Sequence, residues 1–75
     1  MKVIWELFTD VWHLARRYEF RKLTDAEWEG FYSCGENLLA KYRGQGQDIE
    51  MLYRDIFRAV QAFYERRGKY GNTVK

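Results

Sequence analysis

The chain has 75 residues, of which 47% are hydrophobic and 19% aromatic, and it carries a net charge of +2. This length fits one domain, and the hydrophobic content is typical of a folded protein rather than a disordered one. The charge is smaller than nucleic-acid-binding domains usually carry, because each neutralised phosphate adds affinity. Cys34 is the only cysteine, so neither an intramolecular disulfide nor a cysteine-based metal site can form, which favours a reducing, cytoplasmic location.

The first predicted helix covers about residues 2–19. Trp5 and Trp12 are seven residues apart and therefore lie along one stripe of that helix. They flank an apolar face whose members recur at spacings of three and four residues, which is typical of an amphipathic helix. That face comprises Ile4, Leu7, Phe8, Val11, Leu14, Ala15 and Tyr18.

The start of the second helix is the most sharply defined boundary in the sequence. Thr24 and Glu27 have the spacing of a capping box, in which each side chain accepts a hydrogen bond from the backbone N–H of the other residue. Leu23 and Trp28 are placed for the hydrophobic contact that accompanies this motif. The helix is predicted over 25–43. Its core face comprises Trp28, Phe31, Gly35 or Leu38, Leu39 and Tyr42.

We predict a structural role for glycine at four positions. Gly30 and Gly35 lie inside the second helix, where each costs about 1 kcal/mol relative to alanine, so they favour close approach of a neighbouring helix. Gly44 follows the last turn of that helix, where a left-handed residue is expected. Gly68 is predicted to end the third helix.

The third helix is predicted over about 48–67, with Asp48 as its N-cap. Its apolar residues keep the helical period through four turns. They are Ile49, Leu52, Tyr53, Ile56, Phe57, Val60, Phe63 and Tyr64. Residues 69–75 are expected to form a flexible C-terminal tail.

Three amphipathic helices joined by short connections predict an all-α fold, a compact three-helix bundle with short connecting turns. The bundle is expected to occupy residues 1–68. No stretch of the sequence reaches the roughly 20 apolar residues that a membrane span requires, so no membrane association is expected.

The residues that could carry chemistry do not form a recognisable catalytic, cofactor or metal site. His13 lies in the middle of the polar face of the first helix, and the acidic residues that precede Cys34 disfavour a reactive thiolate. The acidic run of the second helix lacks a calcium-binding loop, and two of its members are explained by capping. It comprises Asp25, Glu27, Glu29 and Glu36. We therefore expect no enzyme, no cofactor and no metal.

The aromatic surplus is the feature that points towards a function. Trp5 and Trp12 either fill volume in a small core or stand at the surface, and the sequence leaves both readings open. Exposed tryptophans are among the residues most enriched at the energetic centres of protein interfaces. We therefore predict a protein-binding surface through Trp5 and Trp12, with Arg16 as a charge at its rim.

Arginines provide an alternative surface. Arg54 and Arg58 lie one turn apart on the third helix, and a basic group clusters around the turn after the first helix, so a phosphate-contacting patch is a second hypothesis. That group comprises Arg16, Arg17, Arg21 and Lys22. The first turn of the third helix carries Asp48 and Glu50, which would face phosphates if that end entered a DNA groove. Protein binding is therefore favoured over DNA or RNA binding.

Three segments of the chain resemble small uncharacterised helical proteins encoded by phages and mobile elements of Gram-positive bacteria. They are Trp5–Trp12 (WELFTDVW), Asp25–Glu29 (DAEWE) and Leu38–Tyr42 (LLAKY). The resemblance implies a protein that binds a host or defence protein and inhibits it, as anti-CRISPR proteins do. It also leaves open a DNA-associated regulator and a structural or assembly accessory. It brings no catalytic residues with it.

Self-association is a further expectation. A domain of 75 residues buries only about 60–65% of the surface of its unfolded chain, so its stability is small. The sequence also contains more large rings than one bundle face needs. We therefore expect a homodimer or dependence on a partner protein.

Overall fold

Three α-helices make up the computed structural model, which describes residues 2–70. They are α1 (Lys2–Arg17), α2 (Asp25–Arg43) and α3 (Gln47–Tyr70). Each helix contacts both of the others, and the connections are short. The predicted all-α three-helix bundle is confirmed. Residues 71–75 of the predicted tail lie outside the described residues.

The first helix ends two residues earlier than predicted. Glu19 and Phe20 have φ angles of 60° and 57°, in the left-handed region that costs a non-glycine residue about 1–2 kcal/mol. The helix cannot continue through this conformation. The chain instead turns, with the Glu19 N–H donating to the Arg16 carbonyl oxygen.

The capping box at the start of α2 is confirmed. The Glu27 N–H donates to Thr24 Oγ1 at 3.2 Å, and the Thr24 N–H donates to Glu27 Oε1 at 2.9 Å. Arg21 adds a second restraint, because its Nη2 lies 2.6 Å from Glu27 Oε2. The Arg21 hydrogen bond, with that of the Thr24 backbone, lowers the pKa of Glu27 to about 2. Leu23 is buried in the same cluster that Trp28 packs against, as the predicted hydrophobic contact requires.

Both predictions for the turn between α2 and α3 are wrong in detail. Gly44 has an ordinary φ of −84°, and the left-handed glycine of this turn is Gly46, with a φ of 122°. The Gly46 carbonyl accepts the first helical hydrogen bond, from the Glu50 N–H. Asp48 therefore lies inside the first turn of α3, where its carboxylate accepts from the Ile49 N–H at 2.8 Å.

Gly68 does not end α3, which continues to Tyr70. A glycine ends a helix by adopting a positive φ. Gly68 is not among the positive-φ residues of the described chain, so it simply continues the helix. The third helix therefore runs two residues beyond the predicted end of the bundle at 68.

Three fully buried tyrosines tie the helices together in pairs. Tyr42, Tyr53 and Tyr64 are each at most 1% exposed, and a buried hydroxyl needs a hydrogen-bond partner. The Tyr42 hydroxyl joins α2 to α1 by donating to Asp10 Oδ2 at 2.6 Å. The Tyr53 hydroxyl joins α3 to α2 by donating to the Gly35 carbonyl oxygen at 2.7 Å. The Tyr64 hydroxyl joins α3 to α1 by donating to a backbone carbonyl of the last turn of α1.

These tyrosines divide the core into two adjoining clusters. One surrounds Tyr42 and Tyr53 between the amino-terminal halves of α1 and α3, and the other surrounds Tyr64 at the opposite end of the bundle. Leucines, a valine and a phenylalanine complete them: Leu7, Val11, Leu14, Leu23 and Phe31. These residues fill the core, and several other aromatic side chains are exposed: Trp5, Phe8, Trp12 and Tyr32.

Candidate protein-binding surface

Three large aromatic side chains of α1 are exposed to solvent. Trp5 is 69% exposed, Trp12 53% and Phe8 51%. Their spacings of three and four residues place them on one stripe of the helix. The prediction that Phe8 belongs to the core is wrong. The core side chains of α2 and α3 pack against Leu7, the neighbouring residue of α1, and none of the described helices packs over Phe8.

An apolar groove between α1 and α3 adjoins this stripe. The groove has a volume of about 420 Å³ and is lined by Ala15, Phe20, Asp55, Ile56, Ala59, Val60 and Phe63. A chain of rings connects stripe and groove, since the centroid of Phe20 lies 5.9 Å from that of Trp12 and 6.0 Å from that of Phe63. We refer to the exposed rings Trp5, Phe8 and Trp12, together with this groove, as the aromatic face.

The left-handed turn after α1 positions Phe20 in the groove. Its N–H donates to the Tyr64 hydroxyl at 3.1 Å, and its ring stacks on the Tyr64 ring with an interplanar angle of 3°. Two successive non-glycine residues with positive φ persist only where the surrounding structure holds them in place. Tyr64, fixed at its other side to the last turn of α1, supplies that restraint.

Charged side chains border the aromatic face. Arg16 is exposed and follows Trp12 by four residues, so it lies at the C-terminal end of the stripe. Its role as a rim charge stays a prediction. Asp55 lines the groove on its α3 side. The guanidinium of Arg67 lies 5.3 Å from the centroid of Phe63, a distance typical of a cation–π contact.

His13 and Cys34 both line a different groove, between α1 and α2. It has a volume of about 290 Å³ and also includes Arg17 and Asp10. Arg17 Nη1 donates to Cys34 Sγ at 3.1 Å. The Asp10 carboxylate, which could orient a catalytic histidine, instead accepts from Tyr42 and from a lysine of α2. Sequence reasoning treated His13 and Cys34 separately and missed that the fold brings them together.

The electrostatics of Asp10 fit this structural role. Its partial burial would raise its pKa, but the hydrogen bonds from Lys41 and Tyr42 outweigh that effect and lower the pKa below its ordinary value. Lys41 Nζ lies 2.7 Å from Asp10 Oδ2. Asp10 is therefore an ionised acceptor that holds α2 against α1.

The alternative arginine patch is paired within α3. Arg54 donates to Glu50 Oε2 from its Nε and Nη2, at 3.2 Å and 3.0 Å. Arg58 Nη1 lies 3.9 Å from Asp55 Oδ1. The positive charge of both arginines is therefore offset by carboxylates one turn away.

Among residues 2–70, no group of three or more histidine, cysteine or acidic side chains is arranged to hold a metal ion. None of the described helices is both long enough and apolar enough to cross a membrane. Comparison with known proteins gives no match to a family model, a curated protein or a solved structure.

Proposed function

We propose that this protein is a non-enzymatic protein-binding module that binds its partner through the aromatic face. The observation that carries the proposal is the exposure of Trp5, Phe8 and Trp12 on one stripe of α1, beside an apolar groove. Soluble monomers rarely expose contiguous apolar patches larger than a few hundred Å², and larger patches mark interaction sites.

The size of the exposed rings supports this interpretation. A large ring buries on the order of 150–250 Å², so the exposed parts of these three side chains amount to roughly 400 Å² of apolar surface. A standard interface takes about 800 Å² from each partner. The three rings alone would supply about half of that area, and the groove and the charged rim lie next to them.

The partner that the face fits best is an amphipathic helix. A groove between two neighbouring helices, with an apolar floor and charges at its edges, is the usual receptor for such a helix. In the setting that the sequence resemblance implies, the partner is a bacterial host or defence protein that this module blocks. A cytoplasmic location is proposed with it, since the only cysteine, Cys34, is a free thiol.

The test is affinity capture from a bacterial lysate with three versions of the protein. The wild type and a Tyr32→Ala variant, which removes an exposed ring from α2, should retain the same partner. The double variant Trp5→Ala, Trp12→Ala should lose it, because truncating a central aromatic anchor typically costs about 2 kcal/mol or more in binding. All three versions should show the same helical circular dichroism spectrum, since the removed rings are exposed.

Two results would reject the proposal. Retention of the partner by the double variant would move the binding surface away from the aromatic face. Tight binding to DNA or RNA that weakens steeply with salt would instead identify a nucleic-acid-binding protein, because such binding depends on released counterions. In that event Arg54→Ala and Arg58→Ala would weaken binding, whereas the tryptophan variant would not.

A further inference from the structure

The aromatic face combines protruding rings and a groove on one surface. The rings lie along α1 from Trp5 to Trp12. The groove adjoins Trp12 and is formed by Ala15 of α1, Phe20 of the following turn and residues 55–63 of α3. A surface with both a projection and a matching recess can pair with a copy of itself. Pairing about a two-fold axis would use both recesses, since each contact then occurs twice.

The charges on α3 favour the same arrangement. Asp48, Asp55, Ala59 and Arg66 fall within about 40° around the helix axis, at 100° per residue, so they form one row beside the groove. The three charged members of this row are exposed. Asp55 also lies 3.9 Å from Arg58, but both side chains are more than 70% exposed, so that contact leaves the Asp55 carboxylate accessible to a second partner. The row is acidic in its amino-terminal half and basic near its carboxyl end. Two copies placed antiparallel therefore bring the acidic half of one row opposite the basic end of the other.

A parallel pair would lack this charge complementarity, because it would bring like charges to the same level of the dimer. Ala59 occupies the middle of the row, where a small side chain permits close approach of the two α3 helices. The order of charges along α3 thus selects the antiparallel pair.

We propose that the aromatic face of the free protein is occupied by a second copy of this chain, in an antiparallel dimer with two-fold symmetry. This inference rests on the proposed function, since both use the same face. A heterologous partner would then bind by displacing the second copy. Self-association would keep Trp5, Phe8 and Trp12 covered until that partner is met.

Analytical ultracentrifugation over a range of concentrations tests the dimer. The wild type should sediment as a dimer at micromolar concentration and dissociate on dilution. The double variant Trp5→Ala, Trp12→Ala should dissociate at a concentration roughly 30-fold higher, as the loss of central aromatic anchors implies. A wild type that remains a monomer up to millimolar concentration would overturn the proposal.

Charge reversal tests the orientation. Asp55→Lys and Arg66→Glu should each weaken the homodimer about tenfold or more, because like charges would then face each other twice. A mixture of the two variants should restore a mixed dimer of about wild-type affinity. Glu29→Lys on the exposed side of α2 makes the same change of charge as Asp55→Lys and should leave the dimer intact. A mixture no tighter than either variant alone would overturn the antiparallel arrangement.

The experiments distinguish failure of the dimer from failure of the proposed protein-binding function. A monomeric wild type whose capture of a partner still requires both tryptophans would reject the dimer and leave the protein-binding function standing. A dimer that depends on the tryptophans, with no other protein captured, would support the inference and reject a heterologous partner. If neither association depends on these side chains, both proposals fail.

Discussion

Phe57 of α3 packs directly against Gly35 of α2, so closely that no side chain would fit between them. A Cβ atom placed on Gly35 would lie 2.5 Å from two atoms of the Phe57 ring. The same glycine offers its carbonyl oxygen to the buried Tyr53 hydroxyl. This contact confirms that Gly35 marks the close approach of a neighbouring helix, and it sets the distance between α2 and α3.

Replacing Gly35 with alanine should therefore destabilise the protein. Alanine gains about 1 kcal/mol of helix propensity, but forcing extra volume into a packed core typically costs about 1–3 kcal/mol, so we expect a net loss. Gly68→Ala is the matched control, since a Cβ there would lie 3.6 Å from its nearest neighbour, Lys22 Cγ. It should stabilise α3 by about 0.5–1 kcal/mol. Urea unfolding measures both, and equal effects of the two substitutions would contradict this packing.

The capping box should make Thr24 important for the start of α2. Thr24→Ala removes the acceptor of the Glu27 N–H and should lower the free energy of unfolding by about 0.5–2 kcal/mol. Thr9→Ala is the control, because the Thr9 hydroxyl bonds the Trp5 carbonyl oxygen within α1 and caps no helix end. Its effect should be smaller. Chemical denaturation followed by circular dichroism compares them, and a Thr24 effect no larger than that of Thr9 would count against the cap.

The buried tyrosines should make the protein sensitive to alkali. Burial, and then the hydrogen bond to Asp10, raises the pKa of Tyr42 to about 12 from 10.0, and burial raises the pKa of Tyr53 and Tyr64 as well. A group whose pKa is higher in the folded state contributes stability that is complete below its unfolded pKa and is lost above it. Stability should therefore fall as the pH rises from about 10 to about 12.

The alkaline transition can be followed by phenolate absorbance together with helical circular dichroism. Part of the absorbance change should appear only as the helices unfold, because Tyr42, Tyr53 and Tyr64 are enclosed in the core. Tyr42→Phe should reduce the loss of stability above pH 10. Complete ionisation of all six tyrosines near pH 10 in a protein that is still helical would contradict the enclosed arrangement.

Local sequence signals predicted much of the fold. The capping box depends on side chains three residues apart, so the start of α2 is visible without knowledge of the rest of the chain. The period of apolar residues likewise identifies three helices. The C-terminal ends of α1 and α3 are harder to predict. Glu19 and Phe20 are ordinary residue types for a helix, and Gly68 is compatible with a helix that ends there or continues.

The candidate surface was only partly predictable. The helical period places Trp5 and Trp12 on the flank of a core face, but it does not say how far the neighbouring helices extend. How far those helices extend over α1 determines whether Phe8 is buried or exposed. The position of Phe20 depends on a hydrogen bond to the Tyr64 hydroxyl, 44 residues away in the chain. No local pattern reports a contact at that separation.

The central claim, that a protein binds over Trp5 and Trp12, is tested most directly by the fluorescence of those two side chains. A Trp28→Phe variant leaves them as the only tryptophans. The variant is first diluted until it is a monomer, so that no second copy covers these rings. When the protein retained in the capture experiment is then added to saturation, their emission should shift to shorter wavelength and become protected from acrylamide quenching. Binding that leaves both the emission and the quenching unchanged would show that the partner binds elsewhere and would contradict this account.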